Sequence, residues 1–265
     1  MLDLPRSVRL ALWGTAVLTG GAQVSAAVAA VSTEDEPHDV EPDQTSLPVA
    51  PDLIGDLGGL LEHLRAVGVP GLRAVLPAPG DPLGLPGPAA FNAAAVDAGE
   101  CVLTEPPVQG PWWGVVPQIT PFGSEWEPGT LVTWRVHAIA SRRATDVISV
   151  GEAERALREA MRNATEELSR LDVARWREDA ADRLAAVRSG ALGAEVLPPS
   201  TPPRCVQVLA TAARVRAIVA LACEDDGAAV TGHEAVRRAQ ALRDLDTVCR
   251  RAMAAAANGI LEPAR

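Results

Sequence analysis

The chain has 265 residues, of which 48% are apolar and 22% are charged, as in a globular protein with a substantial core. It contains neither lysine nor tyrosine, so all 24 basic residues are arginine. The absence of lysine excludes Walker-type nucleotide hydrolases, pyridoxal-phosphate enzymes and protein kinases, because each of these classes needs a lysine at its active site.

The net charge of −10 is unevenly distributed along the chain. Residues 1–141 hold 16 acidic side chains and 5 arginines, a net charge of −11, whereas residues 142–265 hold 18 acidic side chains and 19 arginines, a net charge of +1. An acidic first half repels phosphate backbones and disfavours nucleic-acid binding. It is suited to keeping the chain soluble or to meeting a basic partner.

The first 31 residues allow two interpretations. Arg6 and Arg9 precede an apolar run and a small-residue stretch at 27–29, which is the layout of a secretory signal peptide. Alternatively, apolar residues recur at helical spacing on both sides of Gly20-Gly21, which predicts two short helices joined by a tight turn. We favour the helical hairpin, and the apolar stretch is too interrupted to span a bilayer.

Cysteine usage favours a reducing compartment. The four cysteines, Cys101, Cys205, Cys223 and Cys249, include no closely spaced pair, so the sequence has neither a redox Cys-x-x-Cys motif nor a zinc knuckle. Each lies in an apolar context, as expected of reduced core thiols in a cytoplasmic protein. Cys205 and Cys249 could still meet if the last two long helices form an antiparallel hairpin. Secretion through the signal-like segment is the alternative to a cytoplasmic location.

Composition divides the chain into four segments. Residues 1–31 form the predicted helical hairpin, and residues 32–51 form an acidic, proline-containing linker. Residues 52–141 read as a small α+β unit, and residues 149–259 as a helical bundle that packs with it as one compact body. The predicted fold class is therefore α+β: a small, mostly antiparallel sheet with flanking helices, and a C-terminal four-helix bundle packed on it.

Within the α+β segment, periodicity predicts helices at 57–67 and 88–98 and strands at 72–76, 101–103, 114–119 and 131–139. The last strand is the clearest, because apolar residues alternate with Thr133, Arg135 and His137, which predicts one buried and one solvated face. Pro117 favours an edge position for the strand at 114–119. The turn at 123–129 favours antiparallel pairing of the last two strands.

From residue 149 onward the pattern is helical. Ser149 and Glu152 have the spacing of a capping box at the start of a helix that reaches residue 171. Further helices are predicted at 173–188, 201–223 and 231–258. The third of these four helices is apolar on most sides, which is typical of a buried helix.

Five polar residues are candidates for a site between the sheet and the bundle. The proline- and glycine-rich loop at 77–87 precedes a helix N-terminus, a position suited to binding a ligand, although its Asp81 would oppose an anion. Glu125 lies in the turn before the clearest strand, and a carboxylate near a histidine could take part in acid–base chemistry. The candidate ligand-binding residues are Asp81, Asn92, Glu125, Arg135 and His137.

The sequence predicts no metal site and no cofactor. The four histidines show none of the two-histidine spacing that a metal-binding helix requires. Nucleophile-elbow motifs built on serine or cysteine are also absent, so no catalytic residue is assigned.

Four segments carry a resemblance to known proteins. The opening residues 4–14 (LPRSVRLALWG), the loop at 76–92, and the segments 122–136 and 171–179 resemble a family of uncharacterised conserved proteins of actinobacteria. The resemblance covers most of the chain. It implies a cytoplasmic protein whose N-terminal helix belongs to the fold, and it implies no activity, cofactor or catalytic residue.

These observations predict a cytoplasmic, non-catalytic protein-interaction or regulatory module. Its expected partner is another protein, and neither nucleic acid nor a membrane is expected to be involved. The alternative is an enzyme or small-molecule sensor that uses the five candidate residues.

Overall fold

The computed structural model describes residues 2–33, 35, 37–43, 55–82, 84–105, 112–124, 126–139, 148–170, 178–193, 195–224 and 232–261. The fold is α+β. Its elements are α1 (Arg6–Leu18), α2 (Val24–Ser32), β1 (Asp39–Pro42), β2 (Gly55–Asp56), α3 (Leu57–Ala66), β3 (Leu72–Val75), α4 (Ala89–Ala98), β4 (Cys101–Thr104), β5 (Trp112–Gly123), β6 (Pro128–Ile139), α5 (Val150–Arg170), α6 (Glu178–Ser189), α7 (Pro203–Ala222) and α8 (Gly232–Asn258), followed by a short 3-10 helix (Gly259–Leu261).

The chain forms two compact units. The N-terminal unit comprises Leu4–Val147, Glu195–Thr201 and Ile260–Arg265. The C-terminal unit comprises Met1–Asp3, Ile148–Ala194 and Pro202–Gly259. The sheet lies in the N-terminal unit, with the strand order β2-β1-β6-β5-β4-β3.

The sheet is mixed rather than purely antiparallel. The described pairings β1–β2, β3–β4, β4–β5 and β5–β6 are antiparallel, in keeping with the predicted mostly antiparallel sheet, but β1 lies parallel to β6, and neither β1 nor β2 was predicted. This parallel pair was not predicted, because β1 lies in the segment that was expected to be a solvated linker. Val40 is the one apolar side chain of this short strand, and it is buried. One apolar residue among acidic neighbours gives no periodic signal.

The strand containing Pro117 is central, not an edge strand. β5 lies between β6 and β4, but β4 pairs with it only at Gly114 and Val115. Pro117 therefore lies beyond the β4 pairing, where its missing N–H interrupts no bond to that strand. The prediction of an edge position was wrong because it could not anticipate a neighbour much shorter than β5.

Three residues that interrupt the apolar run of α1 fix the helix in the N-terminal unit, and two of them, Gly14 and Thr15, contact the sheet. An added Cβ at Gly14 would collide with the Leu72 side chain, so this glycine allows α1 to approach β3. Thr15 Oγ1 accepts the Leu72 N–H at 2.9 Å and donates to the Leu72 carbonyl at 3.2 Å. Trp13 Nε1 donates to the Val196 carbonyl at 2.9 Å. The signal-like segment is thus a core element of the N-terminal unit.

A buried polar network joins α1 to the strands. Arg6 forms two hydrogen bonds with the Asp35 carboxylate, at 2.7 and 2.8 Å. His38 Nε2 lies 3.3 Å from Asp35 Oδ2, and Trp134 Nε1 donates to His38 Nδ1 at 3.1 Å. This arrangement is that of a neutral imidazole protonated at Nε2. Burial lowers the pKa of His38, although the Asp35 carboxylate opposes the shift.

In the C-terminal unit, α8 packs against α5 and α7, while α7 also contacts α5 and α6. The predicted capping box is present, since Ser149 N–H donates to Glu152 Oε2 at 2.9 Å and Glu152 N–H donates to Ser149 Oγ at 3.3 Å. Cys205 and Cys249 are free thiols. The described residues do not include the beginnings of the helices predicted at 173 and 231, or residues 44–51 of the predicted linker.

Among the described helices, α7 alone has the length and apolar composition needed to cross a membrane. Within its apolar 18-residue window, 44% of the residues are buried inside the protein.

Candidate functional site

Two of the five predicted site residues, Arg135 and His137, line one cavity. They are two residues apart on β6, so their side chains leave the same face of the sheet. The cavity has a volume of about 720 Å³, and its walls come from this face of the sheet and from α4. We call it the sheet-face cavity. Its polar lining residues are Asp43, Asp97, Gln118, Arg135 and His137.

Helix α4 covers only part of this face of the sheet. Its Phe91 is fully buried and packs with Cys101, Leu103, Val116 and Ile139. An added Cβ at Gly114 would collide with the Phe91 ring, so the absence of a side chain there allows α4 to lie close to β5. The cavity is bounded by Ala94 and Ala98 of α4 and by the strands beyond the helix.

His137 is buried rather than solvated as predicted. It is 4% exposed, and its ring makes an edge contact with Phe91 at a centroid distance of 5.4 Å. Its Nδ1 lies 3.4 Å from Asp43 Oδ2. Burial lowers the pKa of His137, while the Asp43 carboxylate opposes the shift, so the imidazole is neutral at pH 7. The prediction was wrong because alternation cannot show that a distant helix covers the second face.

Arg135 is held in place by two neighbours. Its Nε donates to Gln118 Oε1 at 3.1 Å, and its Nη1 donates to the Glu41 carboxylate across the β1–β6 pairing. Glu41 and Arg135 face each other in the register of these two strands. The guanidinium charge at the cavity is therefore compensated by a carboxylate that does not line it.

Two of the other predicted residues, Asp81 and Asn92, are not among the lining residues of the cavity. Asp81 closes a tight turn, because its N–H donates to the Ala78 carbonyl at 2.8 Å and its carbonyl accepts the Ala78 N–H at 3.1 Å. Asn92 Oδ1 accepts the Gly87 N–H at 2.9 Å and so anchors the proline-rich loop to α4. Glu125 lies outside the described residues.

The described lining residues offer carboxylate and imidazole groups but no hydroxyl or thiol nucleophile. Serine, threonine and cysteine are all missing from the described lining residues. Cys101 is fully buried and burial raises its pKa, so its thiol stays protonated and unreactive. Within the described part of the chain, no group of three or more histidine, cysteine, aspartate or glutamate side chains is arranged to hold a metal ion.

The burial of His137 makes stability depend on pH. Because the folded state lowers its pKa, the unfolded chain binds a proton near pH 6.5 that the folded chain does not bind. We expect the free energy of unfolding to decrease as the pH falls below about 6.5, and to decrease less in the His137→Gln variant. Urea denaturation of both proteins at pH 7.5 and 5.5 measures the difference. Other titrating groups, including buried Glu100, act in both proteins. Equal decreases in the free energy of unfolding of the two proteins would contradict the assignment of this pH dependence to His137.

A second surface is the outer part of the β5–β6 hairpin, residues 118–131, which we call the hairpin arm. The two strands pair up to Gly123 and Pro128. Ser124 Oγ accepts the N–H groups of Trp126 and Glu127 at 3.3 and 3.2 Å, which orders the tip. Gly123 has φ +88°, and an added Cβ would collide with the Glu127 carbonyl, so the turn requires glycine.

The hairpin arm exposes large apolar side chains. Trp126 at its tip is 91% exposed. Ile119, Phe122 and Leu131 along the strands are 43–44% exposed. Phe122 and Leu131 lie on one face of the two-stranded arm and Ile119 on the other, and exposed large apolar groups are typical of interaction surfaces.

Sequence reasoning did not identify Asp43, Asp97 and Gln118, which line the same cavity as Arg135 and His137. Gln118 could have been found from its place in an alternating strand paired with β6. Asp43 follows β1, and Asp97 lies in the last turn of α4. The proximity of both residues to the cavity therefore depends on long-range packing.

Comparisons with known proteins agree along the whole chain. The N-terminal domain of Rv1486c-like proteins matches residues 7–147, and the C-terminal domain of the same family matches residues 151–254. The chain is 32% identical to "Uncharacterized protein Rv1486c" of Mycobacterium tuberculosis over 289 aligned positions, which cover 97% of this chain and 98% of that protein. It is 29% identical to "Uncharacterized protein ML1804" of Mycobacterium leprae over 73% of this chain and 69% of that protein. No solved structure matches the chain.

Proposed function

This chain belongs to the Rv1486c-like protein family, and we propose that it is a cytoplasmic, non-catalytic module that binds another protein through its hairpin arm. The observation that carries the proposal is the 91% exposure of Trp126 at an ordered tip. Tryptophan is enriched among the residues that dominate binding energy at protein interfaces, because it buries a large rigid surface on docking.

The charge of the arm suits a basic partner. Glu125 and Glu127 flank Trp126 in the sequence, and Glu127 is exposed. The first 141 residues carry a net charge of −11. A partner surface with an apolar pocket surrounded by arginine or lysine would complement the tip in both shape and charge, whereas nucleic acid would be repelled.

Two observations support a cytoplasmic location. The signal-like segment supplies the buried helix α1, so its removal would expose the face of β3 that α1 covers. Cys101, Cys205 and Cys249 are buried free thiols, as is usual in a reducing compartment. We also infer that α5, α6, α7 and α8 form the predicted four-helix bundle, which the contacts of α8 with α5 and α7 support.

A small-molecule sensor is the second candidate function. It is favoured by the arrangement of Arg135 and His137, which line the same cavity as Asp43. The described lining residues combine charged, amide and apolar groups, which suits the binding of a small polar ligand.

Native mass spectrometry of the tagged protein, gently isolated from the organism that makes it, tests the interaction. We expect a protein bound at fixed ratio to the wild type and at least about tenfold less of it on the Trp126→Ala variant, because losing an interface tryptophan typically costs 2 kcal/mol or more. The same spectrum shows whether the first 30 or so residues are retained, and a small extra mass would support the sensor.

Val236→Ala is the matched control, since Val236 is also an exposed apolar residue but lies on α8. This variant should retain the partner as the wild type does. Bare wild-type protein, or equal retention by the Trp126→Ala variant, would overturn the proposed function.

A further inference from the structure

The sheet-face cavity and part of the hairpin arm share one continuous face. In the β5–β6 register, Val116 faces Arg135 and Phe122 faces Gly129. Residues two apart on a strand point the same way, so Phe122 of the arm lies on the face that carries Val116 and Gln118. Leu131 lies on the same face as Arg135 and His137. Phe122 lies six positions after Val116, a distance of about 20 Å along the strand. A short extended peptide could cover both the exposed apolar side chains and the cavity.

The charges that line the cavity favour a cation. Asp43 and Asp97 contribute two carboxylates, whereas Arg135 contributes one positive charge that Glu41 compensates. Asp43 is half-buried beside a neutral His137, so its charge is only partly screened by water, whereas the Asp97 side chain is exposed and its charge is more fully screened. An anionic ligand would have to displace Glu41 from Arg135 and approach both carboxylates.

The remaining walls are apolar. Ala94 and Ala98 of α4 and Val116 of β5 face the cavity beside the carboxylates. Arginine and lysine combine a methylene stem, which packs on apolar surface, with a charged head that needs a carboxylate. The lining therefore matches one long basic side chain better than a wholly polar ion.

We propose that the protein partner inserts a basic side chain into the sheet-face cavity, with its charged head at Asp43 and Asp97 and its neighbouring residues along Phe122 and Leu131. This inference rests on the proposed interaction function and adds the chemistry of the partner. The occupant is a segment with one arginine or lysine between apolar residues. Trp126 and Glu127 engage a separate part of the same partner at the tip.

Titration with three synthetic peptides tests the inference on the full-length protein. The first is an acetylated, amidated heptapeptide with central arginine, two alanines on each side and leucine at both ends. The second replaces arginine with citrulline, its neutral isostere, and the third replaces it with glutamate. Isothermal calorimetry and the ¹H–¹⁵N spectrum should show saturable binding of the arginine peptide, at least about tenfold tighter than the citrulline peptide, as expected for a charge-assisted contact.

Variants connect this preference to the cavity. Asp43→Asn should weaken binding of the arginine peptide at least about fivefold, and Asp97→Asn about twofold because Asp97 is exposed. Both variants should bind the citrulline peptide as the wild type does. Glu62→Gln is the control, because exposed Glu62 on α3 loses the same charge outside the cavity lining. Equal binding of the arginine and citrulline peptides, binding of none of the three, or a preference for glutamate would overturn the inference. Capture of a partner that depends on Trp126 but not on Asp43 or Asp97 would overturn it while leaving the interaction function standing.

Discussion

Replacing Trp134 with alanine should lower the free energy of unfolding by about 4 kcal/mol, the largest effect expected of a single side chain in the N-terminal unit. Trp134 is fully buried in β6, between Val40 of β1 and Pro117 of β5. Its truncation leaves a cavity in the middle of the sheet. It also removes the indole N–H that donates to His38 Nδ1, so a buried acceptor loses its donor.

Urea denaturation followed by circular dichroism measures the change. Trp134→Phe should cost about half as much, because the ring still fills most of the space but cannot donate to His38. Trp126→Ala is the control, and its effect should be within about 0.5 kcal/mol because that side chain is exposed. If Trp134→Ala changed the free energy of unfolding as little as Trp126→Ala, the result would contradict the position of β6 in the core.

The parts of the fold that sequence reasoning predicted are those with a strong local signal. The alternation along β6, the capping box of Ser149 and Glu152, and the left-handed Gly99 after α4 each belong to a few neighbouring residues. β1 was missed because it has four residues, one of them a buried apolar residue, and because its partner β6 comes much later in the chain. Its parallel pairing is a tertiary outcome that no short window contains.

The candidate site was predictable to a similar degree. Arg135 and His137 were identified because they share one face of a well-marked strand, and the structure brings them to one cavity. Asp43 reaches that cavity only through β1, and Asp97 only through α4, so the sequence could not connect them with β6. Asp81 and Asn92 were singled out by their loop, where polar side chains and turn geometry serve to shape the backbone.

The exposed tip shows the same division between local and long-range information. Gly123, Ser124 and Gly129 predict a turn, and a turn is present. β5 and β6 are longer than β4 and continue well past its end, so they place Trp126 away from the core. This depends on the unequal lengths of the strands. The interaction surface therefore depends on where neighbouring strands end.

The second large effect concerns Glu100, which caps helix α1 from a distant part of the chain. Pro5 precedes α1 and makes no side-chain cap, but the Glu100 carboxylate accepts the Ser7 N–H at 2.7 Å in the first turn. A negative charge there is favoured by the helix dipole and by nearby Arg6 and Arg9. Burial raises the pKa of Glu100, whereas the Ser7 hydrogen bond and the arginines oppose the shift.

Glu100→Ala should lower the free energy of unfolding by about 3 kcal/mol, because it leaves the buried Ser7 N–H without its acceptor and removes a carboxylate that lies near Arg6 and Arg9. Glu100→Gln should cost only about 1 kcal/mol, since the amide oxygen can still accept the Ser7 N–H. Urea denaturation at pH 7 compares both with Glu127→Ala, an exposed glutamate whose loss should change little. Equal destabilisation by Glu100→Ala and Glu100→Gln would show that Glu100 acts through its charge on Arg6 and Arg9 and not by capping α1.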